Sequence, residues 1–494
     1  MRPRRVILLL CQLAVFTGRG TSAQSAGSFD RGKWEADFAA LKRELEQSYS
    51  HLAWFGSPES GVDLPALDRS TRDALQKAQR DADASAAILR FVAGFHDGHF
   101  AQTAAPIVAT GPSPEPPPVN SAKDARTACA AFGFAPVTRI PFSLPFESLP
   151  GFELTSDGLS SAFRAGLIDQ FGQRFGVVRI PRFRAAEFPE LCERVWSALK
   201  SANPEPTRRQ VLDQVDREWL RTLAERLRDL KNRGATTLVV DVGGNGGGND
   251  LGDWAVRLFT SKPVSSAPML LSADSVAIPY FDEQLGDLRA ALAAGPAEAT
   301  KSALQEAIAS FERRKQEATA PGCDMSWVWR EQRKWGTSSC TRLIESGFAS
   351  GALGYAEAGR FPEAAAHALY WASRADSVRG AWNGPVYVFT NGGTGSAAEM
   401  FTALIRDRGI AKTVGSRTFG LGCGFIDISG PFVLPGSRLA FNIPNCVRLR
   451  ADGTDDVGGI APDLPITPGS AETPRALAWR TLQAIATDRG NRKP

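Results

Sequence analysis

Histidine is scarce in this chain, four in 494 residues, so any chemistry that needs an imidazole has few places to find one. No Cys-x-x-Cys pair and no Cys/His cluster has the spacing of a zinc site, and no metal or other cofactor is expected. Beyond the first residues no run approaches the ~20 apolar residues that a membrane span needs. The formal net charge is only +4 and no patch of Lys and Arg is dense, which argues against a nucleic-acid partner. Coiled-coil heptads and internal repeats are also missing, so the chain reads as globular, with 43% hydrophobic residues and a length that fits two or more domains.

The N-terminus carries a basic head, Met1-Arg2-Pro3-Arg4-Arg5, an apolar stretch from Val6 to Phe16, and the small residues Thr21-Ser22-Ala23. This is the pattern of a secretory signal peptide over residues 1–23 and implies a secreted or periplasmic protein. Setting aside Cys11 leaves Cys129, Cys192, Cys323, Cys340, Cys423 and Cys446, an even set that suits an oxidising compartment. Pairing of neighbours, Cys129 with Cys192, Cys323 with Cys340 and Cys423 with Cys446, is the expectation, although order alone leaves other connectivities open.

Two segments stand out as places for chemistry. Val386-Tyr387-Val388-Phe389-Thr390 reads as a buried strand, Gly392-Gly393-Thr394-Gly395-Ser396 as a turn, and Ala397 onward as a helix. Ser396 thus stands at a helix N-terminus, where free N–H groups favour a developing negative charge. Ser396 and Glu399 also have capping-box spacing, which is the structural alternative. Thr237 to Val242 is a second buried-strand pattern and runs into Gly243-Gly244-Asn245-Gly246-Gly247-Gly248. A turn this rich in glycine presents N–H groups to one point, for a phosphate or an oxyanion. The Lys-Ser/Thr of a P-loop and a clean G-x-G-x-x-G are both missing, which favours the oxyanion.

Together these blocks resemble the S41 peptidases, which include the C-terminal processing proteases, the tricorn core protease and the interphotoreceptor retinoid-binding proteins. Asp241 to Gly248 resembles the family's D-x-R-x-N-x-G-G turn, with Gly243 where arginine is usual. Gly384 to Glu399 resembles the nucleophile block, Gly415 to Gly420 the G-x-x-T-x-G turn, and Gly459-Ile460-Ala461-Pro462-Asp463 the G-[VI]-x-P-D signature. The processing proteases carry a catalytic lysine in T-F-G-K-G, where this chain has Thr418-Phe419-Gly420-Leu421-Gly422; leucine accepts no proton, so a Ser-Lys dyad there is excluded. Phe95-His96-Asp97-Gly98-His99-Phe100 resembles instead the histidine element of the tricorn-like branch, with His99 as general base and His96 unassigned. The same resemblance implies Asp456 as the acid that orients the base, with Asp455 and Asp97 as competitors. Ala397 and Gly247 are the implied oxyanion donors.

The implied fold class is α/β: a crotonase-like (ClpP/S41) mixed-sheet catalytic domain with an N-terminal helical domain and a helical insertion. The expected organisation is a helical domain over 24–100, a Pro-rich and mixed linking region over 101–174 without a convincing PDZ module, and a catalytic domain over 175–470 interrupted at about 287–379. A C-terminal helix and tail over 471–494 completes it. Trp327, Trp329 and Trp335 in the insertion are either a substrate-contacting surface or packed core. The implied function is a serine-type peptidase acting on peptide or protein substrates through an acyl-enzyme. The alternatives are an esterase with the same machinery and a non-catalytic S41-fold binding protein for a hydrophobic ligand or peptide.

Overall fold

The computed structural model describes residues 29–104, 124–160, 162–202, 206–320, 322–336, 340–426 and 430–490. The segment read as a signal peptide and nearly all of the Pro-rich stretch lie outside them. The described chain opens with helices α1 (Arg31–Ser48), α2 (Leu52–Phe55), α3 (Leu64–Lys77) and α4 (Asp81–Ala93). Asp30 and Asp63 cap α1 and α3 by accepting the N–H groups of Lys33 and Ala66. Phe38, Leu41, Leu45, Leu75, Ile88 and Phe91 recur at helical spacing and turn inward.

These helices share their core with distant parts of the chain. Trp327 and Trp329 are only 3% and 6% exposed within the same cluster, which also takes in Phe441 and Val457. The Trp329 indole donates to Glu46 at 2.6 Å, and Trp335 meets Trp54 edge-on with ring centroids 5.5 Å apart. The tryptophans are therefore packing residues that tie the insertion to the N-terminal helices.

The chain continues through β1 (Ala101–Thr103), α5 (Ala125–Ala131), β2 (Phe152–Asp157), β3 (Arg164–Gln170), β4 (Gln173–Arg179), α6 (Pro189–Ala202), α7 (Arg208–Asn232) and β5 (Thr237–Asp241). Then come α8 (Leu251–Trp254), β6 (Pro268–Ser272), α9 (Ala277–Ala293), α10 (Glu298–Ala318), β7 (Leu343–Phe348), α11 (Glu363–Leu369), β8 (Val386–Thr390) and α12 (Ala397–Asp407). The last elements are β9 (Lys412–Gly415), β10 (Phe432–Val433), β11 (Ala440–Asn442), β12 (Cys446–Arg448), β13 (Leu464–Pro465) and α13 (Pro474–Gly490).

A seven-stranded sheet in the order β13-β9-β8-β5-β4-β3-β2 forms the centre, parallel from β13 to β4 and antiparallel beyond. Its middle strands are apolar on both faces because both faces are covered. Val240, Val388 and Val178 face a core with Trp219, Leu223 and Phe401, while Val239, Tyr387 and Val177 face Phe146, Leu482 and Ile485. The sheet starts earlier than the catalytic domain expected from residue 175, since β2 and β3 precede it. A register shift between Leu154 and Ser156, together with Gly166, breaks the period-two signal there. Likewise α9 begins at Ala277, ahead of the interruption expected near Asp287.

Two antiparallel three-stranded sheets, β1-β11-β10 and β12-β6-β7, flank the site. Disulfides join Cys129 to Cys192, Cys323 to Cys340 and Cys423 to Cys446, the pairing of neighbours expected above. Replacing Trp329 by Ala removes a shared-core anchor and leaves the Glu46 carboxylate without its donor. The unfolding free energy measured in denaturant is expected to fall by about 3–5 kcal/mol.

Candidate active site

Adjacency of β5 and β8 brings the two glycine turns together. Paired in parallel, with Asp241 opposite Phe389, the two strands release their turns side by side at their carboxyl ends. The turns are then lashed to each other: Thr394 Oγ1 donates to the Val242 carbonyl at 2.9 Å, the Gly395 N–H to the Asn245 carbonyl at 2.9 Å, and the Gly244 N–H to Asn391 Oδ1 at 2.8 Å. Behind them, buried Asp241 accepts the Ser143 hydroxyl and N–H and sits 3.2 Å from Arg179.

Ser396 begins α12 with φ 55° and ψ −121°, in the left-handed half of backbone space that a side-chain-bearing residue enters at a cost of order 1–3 kcal/mol. Its side chain makes no capping hydrogen bond; the Glu399 N–H goes instead to the Ser396 carbonyl at 2.8 Å. Gly247 presses against it, with φ 111°, so that a Cβ there would lie 2.7 Å from Ser396 Cβ. The Ala397 N–H has no acceptor among the described residues.

His99 arrives from the other side, two residues before β1, whose pairing with β11 fixes its position. Its own N–H donates to Asp97 Oδ1 at 2.8 Å, and Asp97 in turn accepts the Tyr49 hydroxyl at 2.8 Å. His99 Nδ1 lies 2.8 Å from the Leu421 carbonyl, an oxygen that only accepts, so Nδ1 carries the proton and Nε2 the lone pair. Burial holds the imidazole below its usual 6.5, with Asp97 and the Leu421 carbonyl pulling the other way. Leucine thus occupies the family's lysine position while its main chain orients the histidine. Its side chain fills the gap between the turn that carries His99 and the turn that carries Ser396, so closely that a Cβ on Gly98 or on Gly395 would come within 2.3 Å of it.

Glu399 holds this arrangement together. The carboxylate accepts the Ser396 N–H at 3.0 Å, the Thr418 hydroxyl at 2.6 Å, and the N–H groups of Gly420, Leu421 and Gly422 at 2.7, 2.8 and 3.1 Å. Burial raises its carboxyl, and the Thr418 hydroxyl and Gly420 N–H oppose the rise. Sequence reading gave this residue a capping role alone; its reach to a turn over 20 positions later is a property of the fold.

Two expected assignments are corrected by hydrogen bonding. Asp456 does not bond the His99 ring: it accepts Arg448 Nε at 2.8 Å and the Cys423 N–H at 3.1 Å, and Arg448 also reaches the Ser396 carbonyl at 3.4 Å. The Gly247 N–H is taken by Asn245 Oδ1 at 2.9 Å, closing a local turn, so it is not free for an oxyanion. The next N–H, that of Gly248, has no acceptor among the described residues. Phe183 bonds to the Gly247 carbonyl and the Asn249 N–H on either side of Gly248, which turns the Gly248 N–H away from Phe183.

His96 is exposed in its turn with φ 57°, and Asp455 pairs with His51. That pair is fully buried: His51 Nδ1 meets Asp455 at 2.6 Å and Nε2 meets the Cys423 carbonyl at 2.9 Å. Burial depresses His51, but the Asp455 and Asp97 carboxylates and the Cys423 carbonyl outweigh it and push the imidazole up to about 9. A histidine so far from both turns in sequence carried no local signal.

Ser396, Ala397 and His99 line a cavity of about 700 Å³ that also reaches Gly248, Trp254, Met269 and Arg448. From α9 and α11, Tyr280 and His367 close its far wall. Residues 288–466, which include the nucleophile turn and Asp456, match the family model described as peptidase family S41. Over those residues the chain is similar to the S41 peptidases. No curated protein sequence matches it. Among solved structures, mature CPAF is 14% identical, covering 92% of this chain and 96% of its own with a TM-score of 0.52. The complex of mature CPAF with lactacystin is 14% identical over 93% and 98%, with a TM-score of 0.51. At these identities the likeness is one of fold.

Two outcomes follow for Ser396 and His51. Ser396→Gly relieves the positive φ that Ser396→Ala retains, so the glycine variant is expected to be the more stable by roughly 1 kcal/mol in thermal unfolding. His51 is raised by folding, so its contribution to stability is complete below pH 6.5 and is lost as pH rises through about 9. Unfolding midpoints followed through that window should fall more steeply for the wild type than for His51→Phe, a variant that starts lower because Asp455 is left buried without its partner.

Proposed function

We propose that this protein is an S41-type peptidase, secreted or periplasmic, that hydrolyses peptide bonds by a serine mechanism, with Ser396 as nucleophile and His99 as general base. The observation that carries the reading is the His99 bond to the Leu421 carbonyl, which leaves Nε2 as a proton acceptor in the cavity that Ser396 also lines. Depression of the imidazole keeps it unprotonated, hence competent as a base, near and below its usual range.

In the first step His99 Nε2 takes the Ser396 hydroxyl proton as Oγ attacks the substrate carbonyl. The tetrahedral oxyanion is held by the Ala397 N–H at the start of α12 and by the Gly248 N–H. Collapse breaks the C–N bond, with the imidazolium giving its proton to the leaving amine and leaving an acyl-Ser396. Water, deprotonated by the same nitrogen, then releases the acid and restores the serine. Here a backbone carbonyl does the orienting work assigned by the family resemblance to an acid. Secretion is supported by the N-terminal sequence pattern and by the three disulfides.

Labelling with a fluorophosphonate tests the mechanism. The wild type is expected to react, Ser396→Ala not at all, and His99→Ala at least ~100-fold more slowly. No reaction by folded wild type would favour the non-catalytic binding protein. Across pH, the labelling rate should fall on the acid side with a midpoint below 6.5, because protonation of His99 removes the base; a midpoint above that value contradicts the assignment.

A further inference from the structure

Among the described residues, one carboxylate on the cavity wall, that of Asp250, has no hydrogen bond or ion pair of its own. The cations around the cavity are each already matched: Arg448 with Asp456 at 2.8 Å, Arg374 with Asp213, and Arg209 with Asp287. Glu283, also on the wall, lies 3.9 Å from Arg209. Asp250 thus lines the cavity without a direct partner, and the guanidinium groups of Arg448 and Arg374, each paired elsewhere, act on it only through space.

Its position relative to the nucleophile is set by backbone contacts on both sides. Three residues earlier, Gly247 abuts Ser396; two residues later, Gly252 packs so closely on α12 that a Cβ there would lie 2.3 Å from the Ala397 carbonyl oxygen. Asp250 Cα is therefore within about 10 Å of the Gly247 Cα, on a stretch held against Ser396 at one end and Ala397 at the other. Trp254, Met269, Tyr280 and Met400 line the same cavity and offer apolar surface. An aliphatic stem with a cationic tip is the side chain that satisfies both features, its methylenes along the apolar wall and its charge on the carboxylate.

Building on the serine-peptidase reading, we propose that Asp250 is a specificity-determining residue that selects substrates with lysine or arginine at the residue supplying the attacked carbonyl. Burial and the neighbouring Asp253 carboxylate raise its carboxyl to about 6 against the pull of Arg448 and Arg374, so it is ionised at pH 8 and a basic substrate side chain would give it a direct ion-pair partner.

The test uses peptidyl diphenyl phosphonates that differ only in carrying lysine or its uncharged isostere norleucine at that residue. They are applied at pH 8 to the mature protein with a simple fluorophosphonate run alongside. The ratio of lysine to norleucine labelling rates within one variant cancels any general change in serine reactivity. Wild type is expected to show a ratio of roughly 10 or more, Asp250→Asn a ratio near one, and Asp250→Glu a ratio that stays well above one. Equal rates in wild type, or a lysine preference that survives in Asp250→Asn, overturns the proposal. If Asp250→Asn does not fold, the wild-type ratio alone still decides against it when it is near one. Failure of the serine-peptidase reading is separate and visible, since the simple fluorophosphonate would then leave wild type unlabelled.

Discussion

A single buried carboxylate carries the geometry of this site. Glu399 belongs to the first turn of the helix that Ser396 begins, yet four of its five donors come from the turn at 418–422. One of those residues, Leu421, presents its carbonyl to His99. Ser396 and His99 are thus referred to the same anchor, one through its own N–H and the other through the backbone it leans on. A carboxylate suits this place because every partner donates and the ionised group only accepts. Removing it would leave four N–H groups and a hydroxyl in the interior without partners, each at a cost of about 1–3 kcal/mol.

The surrounding charges repeat the logic. Cys423, two residues past Leu421, has its carbonyl bonded by His51 and its N–H bonded to Asp456, while its sulfur is joined to Cys446 on β12. Three distant parts of the chain therefore hold the loop that aims His99. Buried pairs such as His51 with Asp455 give little net stability against a well-packed apolar substitute, but either partner alone is costly. Their effect here is to specify one arrangement of the loop. The central sheet does the coarse work beneath them, because parallel β5 and β8 deliver their turns to one edge.

Much of this was legible from residues. Fully apolar runs at Thr237 to Val242 and Val386 to Thr390 announced central strands, and the glycines after each announced special backbone. Ser396 and His99 stood out through motif context, and the two line one cavity. What failed to show were the partners. Asp456 had the right place in a motif, but Arg448, eight residues before it, claims the carboxylate, and an ion pair across a turn leaves no mark in periodicity. Gly247 looked like a donor because it is a glycine in the right block. Its N–H is lost to Asn245 by a local turn that depends on side-chain conformation. The orienting group for His99 is a main-chain carbonyl, which every residue possesses, so no residue type could have pointed to it. Leu421 could only be read by what its side chain excludes. His51 was hidden for a related reason: its partners lie about 400 positions away, and only the shared core of the N-terminal helices brings them within reach.

The tautomer of His99 decides the account most directly. With only four histidines, ring-nitrogen NMR of uniformly labelled protein against a His99→Ala reference can assign its two nitrogens above the pH at which it protonates. A protonated Nδ1 and a bare Nε2 are predicted, as the bond to the Leu421 carbonyl requires. A proton resident on Nε2 would leave no base facing the cavity and would contradict the mechanism.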